Sequence, residues 1–203
     1  MMRIASLAAG LVLALGSVTV HAKAQVGQPA PAFTLTDSNG KTHSLADFKG
    51  KTVVLEWTNA ECPFVKKHYE PKNMQTQQGE AKTAEVVWLT VNSGAPGKQG
   101  HVDGAGANAI IASTGGQQAA YLLDASGETG KAYGAKTTPH MYVIDGEGTL
   151  RYAGAIDSNP SADPADIPAA TQYVRNALAD LAAGRPVAVA NTQPYGCSVK
   201  YAN

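Results

Sequence analysis

The segment Glu56-Trp57-Thr58-Asn59-Ala60-Glu61-Cys62-Pro63 ends on a cysteine followed by proline, and it comes directly after the apolar run Thr52-Val53-Val54-Leu55. That order places Cys62 where a helix begins. Proline suits the first helical turn, where its missing N–H would be unpaired anyway. A cysteine at this point faces free backbone N–H groups and the positive end of the helix dipole, and both favour the thiolate, which is the reactive form. Lys66, Lys67 and His68 follow and add positive charge, while Glu61 opposes them. The chemistry expected of Cys62 is nucleophilic attack; the alternative is a small buried apolar side chain. The second cysteine, Cys197, lies in Gln193-Pro194-Tyr195-Gly196-Cys197-Ser198. Thiol exchange needs a resolving thiol after the attacking one, which makes Cys197 the candidate. A permanent staple, or a thiol that never meets Cys62, are the other readings.

The rest of the chain must bring such groups together. It has 203 residues, 16 basic and 16 acidic side chains and 44 % hydrophobic residues, as expected of one globular domain with extensions. This balance points to no nucleic-acid partner and no anionic membrane surface. Arg3, the apolar stretch from Ile4 to Val20 and the small-x-small pattern Ala22-Lys23-Ala24 read as a secretory signal peptide over residues 1–24. Export would allow the thiols to persist as a disulfide, in a periplasm-like compartment, with no stable membrane insertion after cleavage. Residues 25–185 are expected to form the domain, and residues 186–203, without periodicity, a tail mobile enough to carry Cys197.

Strands are expected over Thr52–Trp57, Glu85–Asn92 and His140–Asp145, with Gly146-Glu147-Gly148 turning the last into a partner over Thr149–Ala155. Pro63 opens a helix that Pro71 should close. Short helices are expected at Ala107–Ser113 and Glu128–Tyr133, and a longer one at Thr171–Leu181, where Val174, Ala177, Leu178 and Leu181 share a face. Alternating strands and helices followed by a hairpin predict an α/β fold, one mixed sheet with helices on both faces.

With these elements the chain resembles the thioredoxin-fold superfamily, specifically its exported redoxin and peroxiredoxin-like members, over roughly residues 26–183. Three segments carry the resemblance: the strand into Cys62-Pro63, the run Lys136-Thr137-Thr138-Pro139-His140 before a strand, and the opening Gly27-Gln28-Pro29-Ala30-Pro31-Ala32-Phe33. The resemblance implies a thioredoxin-like fold and a thiol-dependent oxidoreductase. Cys62 would be the nucleophile and Pro139 the family's cis-proline, offering a backbone edge to a partner strand. Glu56 would be a buried proton-transferring acid; the alternative is a solvent-facing charge on the strand. Thr58, Asn59, Pro63, Thr138 and His140 would line the substrate. The partners implied are protein disulfides or thiols, or small peroxides, and an external thiol reductant, with no cofactor.

This chain departs from both branches. Val65 stands where thioredoxins carry their second cysteine. Asn59 stands where peroxiredoxins carry a threonine, and Thr58 is one step further away. Arg151 is the nearest arginine in sequence to Pro139. His140 could approach Cys62 as a proton carrier or ligand, or could simply be exposed. Copper(I) would accept thiolate and imidazole, so a metal-binding module or a partner-binding domain remains the rival class. No C-x-x-C or H-x-x-x-H spacing supports a metal, and none is assigned.

Overall fold

A computed structural model describes residues 23–202, so most of the candidate signal peptide lies outside the described residues. Strands β1 (Thr34–Asp37), β2 (Thr42–Ser44), β3 (Val53–Trp57), β4 (Val87–Asn92), β5 (Ala120–Leu123), β7 (His140–Ile144) and β8 (Leu150–Gly154) form one sheet in the order β2-β1-β5-β4-β3-β7-β8. The short β6 (Thr137–Thr138) and β9 (Cys197–Ser198) pair separately. The helices are α1 (Pro63–Tyr69), α2 (Asn73–Thr83), α3 (Gly104–Thr114), α4 (Glu128–Tyr133) and α5 (Tyr173–Ala182). The sheet is mixed, as expected: β3 runs parallel to β4 and antiparallel to β7.

β3 is central because nearly every side chain on it is apolar. Val53, Leu55 and Trp57 enter one core with Leu89, Val91, Tyr133 and Tyr142, covered by α4 and the turn around Phe48. Val54 enters the other with Met74, Trp88, Met141, Val143, Val174 and Ala177, covered by α2 and α5. Trp57 opposes His140 in the register. This pairing sets the chain on either side of the sheet's edge, Thr58–Cys62 and Thr138–Pro139, next to each other.

One element is not foreseen and one expectation fails. α2 is not foreseen by periodicity because it has almost no apolar stripe; Gln75, Gln77 and Gln78 are buried on it beside Met74 and Ala81. The C-terminal segment is not a loose tail. Thr192 N–H donates to the Ala153 carbonyl at 3.1 Å, Cys197 pairs with Thr138, Val199 N–H donates to the Lys136 carbonyl at 3.0 Å, and Ala95 N–H donates to the Lys200 carbonyl at 2.8 Å. Backbone groups that need partners fasten it as a strap across the end of the sheet.

Candidate active site

Cys62 is the residue before α1, with extended backbone, and Pro63 occupies the first helical turn. The turn that delivers it is held by Asn59, whose Oδ1 accepts Glu61 N–H at 2.9 Å and whose carbonyl accepts Cys62 N–H at 3.0 Å. Asn59 Nδ2 donates to Gln99 Oε1 at 3.0 Å, and Gln99 Nε2 donates to Glu61 Oε2 at 2.7 Å. Thr58 N–H donates to the Val91 carbonyl at 3.0 Å. Thr58 and Asn59 are both buried; they build the turn beneath the thiol rather than its outer surface. Pro63 is exposed.

The Cys62 side chain is 0 % exposed. Its Sγ–H donates to the Thr138 carbonyl at 3.1 Å. The Thr138–Pro139 peptide bond is cis. Antiparallel pairing sets Cys197 opposite Thr138, whose hydroxyl donates to the Cys197 carbonyl at 3.4 Å. Gly196, at φ +125°, lies against the Thr138 carbonyl so closely that a β-carbon would collide with it. Glycine is the residue that permits this approach. The strap therefore lays Cys197 over Cys62, and both thiols are free.

The two thiols differ electrostatically. Burial pushes the Cys62 thiol up, but hydrogen bonds from Cys197, from the Thr138 side chain and from the Cys197 and Val65 backbone outweigh it, so its pKa lies below the ordinary thiol value. The Thr138 carbonyl opposes this, since it accepts from the thiol and repels the thiolate. Cys197 goes the other way. Burial, then the hydrogen bond and charge of Cys62, push it up to about 11 against the pull of Lys200. One sulfur is poised to lose its proton and the other to keep it.

The basic residues expected to polarise Cys62 do not do so. Lys67 is buried and paired with Asp157 at 3.2 Å. His68 is held neutral, its pKa pushed down to about 4 by burial and by Lys67, against Asp157. Lys66 is exposed. His140 is neither exposed nor a partner of the thiol. Its ring stacks 4.5 Å from Tyr142, its Nδ1 accepts from Lys136 N–H at 3.3 Å, and burial pushes its pKa down to about 3.

Glu56 is buried, which settles its strand face. Trp88 Nε1 donates to Oε2 at 2.9 Å, Thr90 Oγ1 at 3.2 Å and Gln78 Nε2 at 3.4 Å, while the Tyr69 hydroxyl meets Oε1 at 2.9 Å. Burial raises its pKa to about 7 despite these donors. Neither thiol is among its partners. Sequence reasoning missed the cluster of Lys67, His68, Asp157 and Tyr195, whose members come from three separate segments. Among the described residues no group of three or more His, Cys, Asp or Glu side chains could hold a metal ion, and no helix is long and apolar enough to cross a membrane.

The redoxin family model matches residues 25–171. The thiol-disulfide oxidoreductase ResA of Bacillus thuringiensis subsp. konkukian is 28 % identical over 143 residues, covering 70 % of this chain and 77 % of the relative. The thiol:disulfide interchange protein DsbE of Yersinia pestis is 30 % identical over 144 residues, covering 70 % of each chain. An uncharacterised conserved protein of Geobacillus kaustophilus has a similar structure, with a TM-score of 0.72 at 26 % identity, covering 88 % of this chain and 93 % of that one.

Proposed function

This chain belongs to the redoxin family, and on that premise we propose that it is a thiol–disulfide oxidoreductase whose working pair is Cys62 and Cys197. Thiol-dependent oxidoreductase activity accords with the family and with relatives named for disulfide exchange. The observation that carries the assignment of the pair is the meeting of two free thiols, Cys197 being laid over Cys62 by its pairing with Thr138, with oppositely displaced pKa values.

In this reading the Cys62 thiolate attacks one sulfur of a substrate disulfide, and the other sulfur leaves as a thiolate. Cys197 then gives up its proton and attacks the Cys62 sulfur, displacing the second substrate thiolate. The protons of the two protein thiols end on the two substrate sulfurs, and a Cys62–Cys197 disulfide remains. An external dithiol reduces it. Cys62 is covered by the strap, so a protein substrate reaches it only when the 196–198 segment lifts. Val65 leaves no second thiol in α1, which is why the strap must supply it.

The same burial favours a small oxidant as a second reading. A peroxide would turn the Cys62 thiolate into a sulfenic acid and leave as an alcohol or water; condensation with Cys197 would then release water and form the same disulfide. Candidate protein disulfides and hydrogen peroxide should be offered separately to the reduced protein, with the products read by mass spectrometry. The proposal expects a reversible Cys62–Cys197 bond with a disulfide substrate, and a trapped mixed disulfide on Cys62 in the Cys197→Ser protein. Unchanged turnover in Cys62→Ser removes it. Turnover of peroxide alone replaces it with the peroxidase reading.

We also propose that residues 1–24 export the protein and that residues 25–202 act as one unit, the strap included. Fractionation with N-terminal sequencing tests this: an uncleaved cytosolic chain overturns it.

A further inference from the structure

Cys197 stands on a short bridge between two anchored tyrosines, and neither tyrosine is accounted for by the chemistry of the thiols. Tyr195 precedes it. The Tyr195 hydroxyl donates to Asp157 Oδ1 and lies 3.4 Å from Lys67 Nζ and 3.3 Å from His68 Nε2. Lys67 Nζ also donates to Asp157 Oδ2 at 3.2 Å and to the Asn159 carbonyl at 2.7 Å. The Tyr195 ring packs edge-on against Phe64 at 5.9 Å, with Lys67 Nζ 5.3 Å from its centre. Phe64, Lys67 and His68 all belong to α1, the helix that Cys62 begins. Both thiols are therefore registered to one helix, Cys62 by the backbone and Cys197 through Tyr195.

The ion pair in this clasp is fully buried, with side chains of Lys67 and Asp157 each 0 % exposed. Desolvation offsets most of the attraction of such a pair, so net stability is a poor account of it. What it does supply is one fixed place for a hydroxyl. On the far side of the bridge the Tyr201 hydroxyl donates to the Ala135 carbonyl at 2.8 Å, and its ring lies against Gly127 and Gly130, where a β-carbon would collide with it. Between these posts the chain is held by β9, by two further backbone bonds and by the Thr138 hydroxyl on the Cys197 carbonyl.

We propose that Tyr195, clasped by Asp157, Lys67 and His68, is the positioning residue that presents Cys197 to Cys62, with Tyr201 as the second post of the bridge. This rests on the two-thiol reading above. The clasp raises the effective concentration of Cys197 at the Cys62 sulfur, the quantity that sets how readily the internal disulfide displaces a mixed one.

The test equilibrates the full chain with mixtures of reduced and oxidised glutathione and reads the fraction of Cys62–Cys197 disulfide. Tyr195→Phe keeps the ring and removes only the hydroxyl; effective concentration is expected to fall about tenfold or more, as for a lost hydrogen bond to a charged group. Tyr201→Phe leaves the buried ion pair intact and is expected to lower it about threefold, as for a neutral hydrogen bond. Ile144→Ala, at the opposite end of β3 and β7 from the thiols, serves as the control: it lowers the melting temperature and leaves the effective concentration as it was. An unchanged value in Tyr195→Phe, whatever Tyr201→Phe does, or an equal fall in Ile144→Ala, overturns the inference while the two-thiol reading stands. An unaltered chain that forms no Cys62–Cys197 disulfide overturns that reading and the inference together.

Discussion

Replacing Glu56 with glutamine is expected to remove a pH-dependent loss of stability of about 2–3 kcal/mol between pH 5 and pH 8. The carboxyl is completely buried, and its folded pKa of about 7 stands against an ordinary value of 4.5. A raised carboxyl pKa means that the folded chain holds a proton the unfolded chain has already lost. Its favourable contribution is complete below pH 4.5 and is lost as the pH rises through 7. At about 1.4 kcal/mol per tenfold change in the proton equilibrium, the whole gap is worth about 3 kcal/mol, of which roughly a quarter is already gone at pH 5. The hydrogen bonds agree with the neutral form. Oε2 takes three donors, from Trp88, Thr90 and Gln78, whereas Oε1 meets only the Tyr69 hydroxyl, whose oxygen can accept a proton in return. Glutamine can copy this, with its oxygen at the Oε2 position and its NH2 facing Tyr69. The assay is urea unfolding of both proteins from pH 5 to 8, taking the difference in extrapolated stability so that every other titrating group cancels. The glutamine variant should gain steadily on the unaltered chain across that window. A difference that stays flat with pH would refute a neutral, buried Glu56.

Three further outcomes are expected. His68 and His140 have folded pKa values depressed to about 4 and about 3, so the unfolded chain takes up protons first, and stability is lost as pH falls from 6.5 through those values; the same urea series extended to pH 4 should show it, with His140→Gln flattening the acid limb. Gly196→Ala would set a β-carbon against the Thr138 carbonyl at a backbone angle that alanine avoids, at about 1–3 kcal/mol of strain; the strap should lift and Cys62 should be alkylated by iodoacetamide at a measurably higher rate. Lys67→Met would leave Asp157 buried without its cation and should cost about 3–5 kcal/mol, read as a lowered melting temperature. Adding Asp157→Leu should recover most of that loss.

The resemblance to thioredoxin-fold proteins was legible because its signals are local. The apolar run of β3 into Cys62-Pro63 specifies a strand, a turn and a helix start within neighbouring residues, and Pro71 lies just beyond the end of α1. The hairpin of β7 and β8 was legible for the same reason: a continuous apolar run and an alternating strand flank a glycine turn. Glu56 was legible as a candidate but not as buried, because a strand's period of two does not say which face carries the acid until its neighbours are in place. α2 escaped because its buried face is largely glutamine: Gln78 donates to Glu56, and Gln75 donates to the Tyr69 and Thr114 carbonyls, which leaves no hydrophobic period to read.

The sequence by itself determined that Cys62 begins a helix after a buried strand, that the partner position in that helix is empty of sulfur, and that one more thiol exists. Only the tertiary structure decided where that thiol goes. The pairing of Cys197 with Thr138, the clasp of Tyr195 by Lys67 and Asp157, and the burial of Lys67 against Asp157 all join residues far apart in the chain. Such contacts depend on which buried polar group finds a partner across the fold, and a polar side chain carries no mark in sequence of the distant group that will satisfy it.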